Sequence, residues 1–363
     1  MTQLLRTAFI GLNPDSHWAA TAHMPALKTL SDRFEVVGVA NSSAESSRRS
    51  AEAFGLAHAF NDADELVSSD EVDLVVVTVK VPHHRALVSK AIEAGKNVYC
   101  EWPLGNGLGE AEELEALAAH KRVVAAVGTQ LSVAPEILYL KRLVAEGFVG
   151  KVLSTSIVAD AGAWGAETTA DIGYIYDSAN GATILSIPMG HTLAGLREVL
   201  GEVGAVSARF TMLGSEVAYT DKGGTLIRTS PEDVIVMGGL ESGAALSMHY
   251  RGGSSRGTGL IWKIHGSDGD IEITGASGHT QMVQLTLRGA RGADRDLEPL
   301  TLPASSFAGL PETATARNVA CVYSRIADDI TNGSRTAPTF AEAVELHRLL
   351  NRIECAAQTK TEQ

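Results

Sequence analysis

Several residue groups in this chain are of types that move protons or grip hydroxyls. Lys80 closes a long β-branched run, and Glu101-Trp102-Pro103 follows a short apolar strand. His191 lies in a stretch with helical periodicity. Tyr174-Ile175-Tyr176-Asp177 and Gly162-Ala163-Trp164-Gly165 add two polar–aromatic segments. Drawing a proton from a hydroxyl needs a base within hydrogen-bond reach. Lys80 qualifies if burial lowers its pKa; otherwise it is a surface lysine opening a loop. His191 qualifies as a neutral imidazole; the plainer alternative is a hydrogen-bonded core histidine. Tyr176 could relay a proton, while Tyr174 and Asp177 could bond ligand hydroxyls. Their plainer alternative is a packed loop with a helix-capping acid. Trp102, at a strand end, and Trp164, in a glycine-rich stretch, are candidates to line a ligand pocket with their ring faces. Trp262, in an apolar run, reads as core. His83 and His84 are expected to be solvent-exposed, with some cofactor contact.

The elements that must position these groups alternate. Strands are expected over residues 7–12, 34–40, 74–79, 97–100 and 123–127, and helices over 18–30, 45–54, 84–94 and 108–120. The continuous β-branched run at 74–79 suits a strand buried on both faces. Such alternation predicts an α/β Rossmann domain, a doubly wound parallel sheet, over residues 1–128. From about residue 151 the texture changes to a helix over 180–200 and strand-like runs at 152–159, 205–213, 233–238, 244–250, 260–265, 270–273 and 281–287. This predicts an α+β domain with a large, mostly antiparallel open sheet over 129–340. A closing helix and tail follow at 341–363.

Ligands on doubly wound sheets sit beyond the carboxyl ends of the strands. Those ends nominate Gly11, Leu12, Asn13 and Trp18, then Asn41, Ser42 and Arg48. Lys80 and His84 follow, then Glu101, Trp102 and Pro103, and finally Gln130. Trp102 and Gln130 are also candidates to face the substrate. A dinucleotide fold wants glycines in the first turn so that a pyrophosphate can approach backbone N–H groups; only Gly11 matches cleanly. The second strand ends in Asn41 rather than an acid. NAD is the expected cofactor and NADP is also permitted. Arg48 and Arg49 read more simply as a solvated helix face than as a phosphate clamp.

Composition narrows the classes further. The 363 residues suffice for two domains, and 45% hydrophobic content can fill two cores. A net charge of −13 argues against nucleic-acid binding. No apolar run approaches the ~20 residues of a membrane span. Three cysteines form no framework, which suits a reducing cytoplasm. No His/Cys cluster has zinc spacing, so no metal is expected.

Together the Gly11 turn, His23-Met24-Pro25-Ala26-Leu27, Pro82-His83-His84, Glu101-Trp102-Pro103, Asn180-Gly181 and His191 resemble the Gfo/Idh/MocA oxidoreductases over essentially the whole chain. The Gly-Leu-Asn opening with Trp18, Gly162-Ala163-Trp164 and Tyr174-Ile175-Tyr176-Asp177 resemble the branch that contains the galactose-regulon repressor. The resemblance implies a dinucleotide facing a sugar pocket, and a homodimer or homotetramer through the second sheet. Glu101 and Pro103 match the family's Glu-Lys-Pro signature, but Trp102 replaces its lysine. His191 matches the histidine of an Asp-x-x-x-His pattern, but Ile187 replaces the aspartate. The expected activity is NAD(P)-dependent hydride transfer at a ring carbon of a pyranose or glycoside. A redox-neutral NAD-dependent glycosidase and a non-catalytic dinucleotide-binding sensor are the alternatives.

Overall fold

The computed structural model describes residues 4–15 and 18–358, so Ser16 and His17 of the first turn lie outside it. The chain divides into two units. One comprises Met1–Gln130 and Ala308–Glu345, the other Leu131–Phe307 and Leu346–Gln363.

The first unit is built from β1 (Leu5–Ile10), α1 (Met24–Thr29), β2 (Phe34–Ala40), α2 (Ala44–Phe54), β3 (His58–Ala59) and α3 (Ala63–Ser68). It continues with β4 (Leu74–Val77), α4 (His84–Glu93), β5 (Asn97–Glu101), α5 (Leu108–Lys121) and β6 (Ala125–Gly128). The six strands are all parallel, in the order β3-β2-β1-β4-β5-β6. This is the dinucleotide-fold order, with its crossover beside β1. Leu74 to Val77 are fully buried because helices cover both sheet faces. Ser43 caps α2 by accepting the Ser46 N–H, and Gly55 ends it in a left-handed turn. The helix expected over 18–30 begins as a π turn, Ala19–His23, before α1.

A long helix that periodicity did not single out, Ala314–Asn332, completes this unit. It buries Val319, Val322, Tyr323 and Ile326, spaced to form one stripe. Arg33 fixes it to the loop before β2 by donating to Asp328 at 2.7 Å and to the Ser324 carbonyl at 3.0 Å.

The second unit begins with α6 (Pro135–Ala145), β7 (Val152–Asp160), β8 (Glu167–Thr168) and α7 (Gly190–Leu200). Then come β9 (Val203–Thr211), β10 (Glu216–Tyr219), β11 (Thr225–Ile227), β12 (Asp233–Leu240), β13 (Ala245–Arg251), β14 (Leu260–Gly266), β15 (Gly269–Gly275), β16 (Thr286–Arg291) and β17 (Glu298–Pro299). Eight strands form one sheet in the order β17-β16-β15-β14-β7-β13-β12-β9, and β11-β10-β8 form a small second sheet. Within the large sheet only β13 and β7 pair in parallel. Trp262 is fully buried there and donates its indole N–H to the Thr155 hydroxyl at 2.9 Å.

Two expected elements differ. The helix expected over 180–200 is interrupted: Gly181 is left-handed, and Pro188 sits in a π turn, Leu185–Met189, that leads into α7. Proline lacks the N–H that an unbroken α-helix would need there. The strand expected over 281–287 begins instead at Thr286. Among the described residues, no helix is long and apolar enough to cross a membrane.

Candidate functional site

In the first unit, Gly11 ends β1 at φ +105°. A Cβ at this position would lie 2.6 Å from Val79 Cγ1 and 3.2 Å from the Val79 nitrogen. Only glycine lets the first turn run this close to the neighbouring strand end, as a dinucleotide cradle requires. Thr78 Oγ1 donates to the Gly11 carbonyl at 3.1 Å and fixes the turn. The Asn13 side chain accepts the Asp15 N–H at 3.0 Å and an Arg49 N–H at 3.2 Å. The Trp18 indole nitrogen is buried without a hydrogen-bond partner.

Asn41 sits at the end of β2 but turns inward. Its amide donates to the Leu12 carbonyl at 2.8 Å and to the Ser50 hydroxyl at 2.9 Å. It therefore braces the first turn against α2, and its donors are spent on protein. Ser42 and Arg48 are exposed beside it. The close approach at Gly11 fits a dinucleotide cradle; Leu12 and Asn13 follow it in the same turn and would be the first residues to meet such a group. Bound NAD supplies a hydride acceptor.

Lys80 is exposed, directly before a short 3-10 turn, and not enclosed in the interior as a catalytic lysine was expected to be. The exposure expected of His84 is overturned, because the side chain is 1% exposed. Its Nδ1 faces the Pro103 carbonyl at 2.8 Å and its Nε2 the Val79 carbonyl at 2.9 Å. Both nitrogens are thus occupied by the strand ends that they tie together. Burial pushes its pKa down, although the two carbonyls oppose that shift. Trp102 is buried, and the Trp102–Pro103 bond is cis.

Glu101 anchors a buried polar cluster that the sequence reading did not assemble. Gln130 Nε2 donates to both carboxylate oxygens, at 3.0 and 2.9 Å. His23 Nε2 lies 3.1 Å from Glu101 Oε1, a close contact without hydrogen-bond alignment. His23 Nδ1 meets the Tyr323 hydroxyl at 2.8 Å. Burial raises the pKa of Tyr323, and Glu101 raises it further. The signal was available in the pairing of His23 with Glu101, but only the missed helix brings Tyr323 to it.

In the second unit His191 is the second residue of α7, which follows the π turn directly. It is 3% exposed, and its Nδ1 has no hydrogen-bond partner. Burial pushes its pKa down to about 3, assisted by His279. His279, which no periodic pattern exposed, stacks on Trp164 with ring centres 5.9 Å apart. The neighbours of both histidines are stitched together: Thr192 Oγ1 meets Thr280 Oγ1 at 2.8 Å and the Tyr250 hydroxyl at 2.5 Å. The Gly275-to-Gly278 turn ahead of His279 was the only sequence signal.

A depressed folded pKa makes stability pH-dependent. The unfolded chain takes up protons on histidine near pH ~6.5, whereas folded His191 resists until about 3 and folded His347 until about 4. Stability is therefore full above that unfolded value and falls as pH drops toward these lower ones. Melting curves between neutral and acid pH should show this slope, and His191→Asn should flatten it in part, while His347, His84 and His279, whose pKa values burial also lowers, keep the remainder. An identical slope in the variant would contradict the assignment.

Trp164, expected in a ligand-binding loop, is 2% exposed at φ 57°. Its indole donates to the Ile175 carbonyl at 3.1 Å. With His279 against the ring, it is held in the interior of the unit. Tyr176 is fully buried, and its hydroxyl donates to the Glu167 carbonyl at 2.9 Å. Burial raises its pKa, so it is a poor relay. Tyr176→Phe should cost about 1 kcal/mol in denaturant unfolding and leave ligand binding unchanged; a large loss of binding would restore its role at the site. Tyr174 is half-buried. Asp177 caps the following 3-10 turn by accepting the Ala179 N–H at 3.0 Å, and also accepts from the Thr229 hydroxyl at 3.1 Å. The structure thus gathers His191 and Trp164 around His279. It places Tyr176 against the small sheet and Asp177 at a cap.

Comparison with known proteins agrees with this division. A model of the oxidoreductase family with an NAD-binding Rossmann fold matches residues 5–129, and a model of the Gal80p C-terminal domain matches 135–275. The chain is 31% identical to the dehydrogenase aclE of Aspergillus oryzae over 76% of this chain and 78% of that protein. It is 28% identical to the galactose/lactose metabolism regulatory protein GAL80 of Kluyveromyces lactis over 78% of this chain and 66% of that one. The crystal structure of a super-repressor mutant of Gal80p from Saccharomyces cerevisiae superposes with TM-score 0.89 at 25% identity, covering 98% of this chain and 96% of that chain. Levoglucosan dehydrogenase in complex with NADH and levoglucosan shares the fold, with TM-score 0.84 at 19% identity over 98% and 97% of the two chains. The chain belongs to the Gfo/Idh/MocA oxidoreductase family, with an NAD-binding Rossmann domain joined to a Gal80p-like C-terminal domain.

Proposed function

We propose that this protein binds NAD and a pyranose or glycoside as a sensor, without net turnover. The observation that carries the reading is His191. Of three polar groups in the family pattern, Trp102 and Ile187 stand where two have been lost. The third is buried until its imidazole is a weak base, with a pKa near 3. The substitutes offered by the sequence do not compensate: Lys80 is exposed, and the Tyr176 proton is given to a backbone carbonyl. The cradle at Gly11 is kept. A regulatory relative with the same fold supports this reading.

A second reading, a dehydrogenase, is favoured by one observation. The unpartnered, buried Nδ1 of His191 is available to accept a hydroxyl proton, and aclE is named a dehydrogenase. Incubation with NAD and D-galactose, lactose or levoglucosan separates the readings. A sensor binds without chemistry. A dehydrogenase accumulates NADH, with one ketone per NADH and release of the hydroxyl proton. A redox-neutral glycosidase splits lactose with no NADH.

The open face of the eight-stranded sheet is proposed as a homo-oligomer surface. Ile261, Val158, His249, Ile235 and Arg209 lie side by side across five strands. Val158 and Met237 on the same strands are more than half exposed, at 54% and 57%. Patches of this kind mark association surfaces. Light scattering at rising concentration checks it: a mass that stays at one chain is the contrary result.

A further inference from the structure

A groove of about 650 Å³ opens at the amino-terminal end of β6. The cofactor residues lie at the carboxyl ends of the same sheet, so the groove is a separate place on this unit. One wall is the end of α5 and the approach to β6, with Ala118, Val123 and Val124. The other is the loop between the Ala314–Asn332 helix and the helix Phe340–Gln358. The loop is held firmly. The Val127 N–H donates to the Pro338 carbonyl at 2.8 Å. The buried Asp329 carboxylate accepts from the Ser334 hydroxyl at 2.6 Å, the Thr336 N–H at 2.9 Å, the Thr336 hydroxyl at 3.2 Å and the Ala337 N–H at 3.0 Å.

Two exposed arginines are among the residues that line this groove, Arg122 and Arg335. Neither has a hydrogen-bonding or ionic partner among the described residues. Arg335 lies between two residues tied to Asp329, so its backbone is fixed. Arg122 caps α5 in the left-handed region at φ 57°, where glycine is the favoured residue. A side chain is kept there against backbone preference. Asp329 is already saturated by its donors, which leaves Glu115 as the only other acid on the wall.

We propose that this groove binds a small organic anion, with a phosphate or carboxylate head on the two arginines and a hydroxylated body toward Glu115. Guanidinium forks match both heads in geometry. The volume lies in the range of small-molecule sites and far exceeds what a bare phosphate fills.

Calorimetric titration of the full chain with glucose 6-phosphate, citrate, inorganic phosphate and glucose tests this. The expected result is saturable binding of glucose 6-phosphate, citrate or both, tighter than inorganic phosphate and absent for glucose. Whichever binds names the head group. Arg122→Gly and Arg335→Ser should each weaken binding about tenfold or more, the weight of one lost charged hydrogen bond. Arg122→Gly should melt no lower than the wild type and keep its NAD affinity. Failure of both anions to bind, equal binding of glucose, or unchanged affinity in both variants overturns the proposal.

Discussion

Gly11→Ala should abolish most NAD binding while leaving a foldable but weakened chain. The added methyl would sit 2.6 Å from Val79 Cγ1 and 3.2 Å from backbone atoms of Thr78 and Val79, at φ +105°. The side chain of Val79 can rotate, but the backbone of the adjoining strand end cannot move without disturbing β4. The residue must also hold a backbone conformation that L side chains rarely adopt. Together these cost about 2–4 kcal/mol. The turn is the element that must approach the dinucleotide closely, so displacing it should weaken NAD binding by about a hundredfold, about 2.7 kcal/mol. Calorimetric titration with NAD and urea unfolding read the two effects separately. Wild-type affinity in the variant would mean that the cofactor does not use this turn.

Glu101→Ala should cost about 2–4 kcal/mol of stability. The carboxylate is 8% exposed and accepts both hydrogen bonds of the Gln130 amide. His23 and, through it, Tyr323 face the same group. Alanine would leave the amide without its acceptor and open a hole between β5, β6 and the Ala314–Asn332 helix. Glu101→Gln should recover part of the loss, because a carbonyl oxygen remains to accept. Urea midpoints of the three proteins check the order wild type, Gln, Ala. Equal stability of the Ala variant and wild type would show that the cluster carries no net energy.

Legibility in the sequence followed the strength of local pattern. The strands of the parallel sheet are buried on both faces, so Leu74-Val75-Val76-Val77 reads as a strand without ambiguity. Gly11 was identified because a single backbone requirement selects a single residue type. The Ala314–Asn332 helix escaped because buried polar residues, Arg317, Asn318 and Asp329, dilute its apolar stripe. Asn41 was placed correctly at a strand end, yet its amide faces inward. That direction is set by Leu12 and Ser50, distant in sequence. His84 was expected outside because it starts a helix; the carbonyls of Val79 and Pro103 bring it inside. His279 lies on an irregular loop, where no period can point to it; contacts of Thr192 with Thr280 and of Tyr250 with Thr192 and Gly278 tie that loop to α7 beside His191. Trp164 shows the converse: a glycine-rich neighbourhood suggested an open binding loop, but the ring is held by Ile175 and His279.

The proposed sensor keeps the family's dinucleotide cradle and lacks the groups that would move a proton. Absorbance at 340 nm tests it most directly, with the full chain, saturating NAD and D-galactose, lactose or levoglucosan, beside a calorimetric titration showing that NAD is bound. A sensor gives bound NAD and no continuing rise in NADH with any of the three sugars. A steady rise proportional to protein concentration would contradict it.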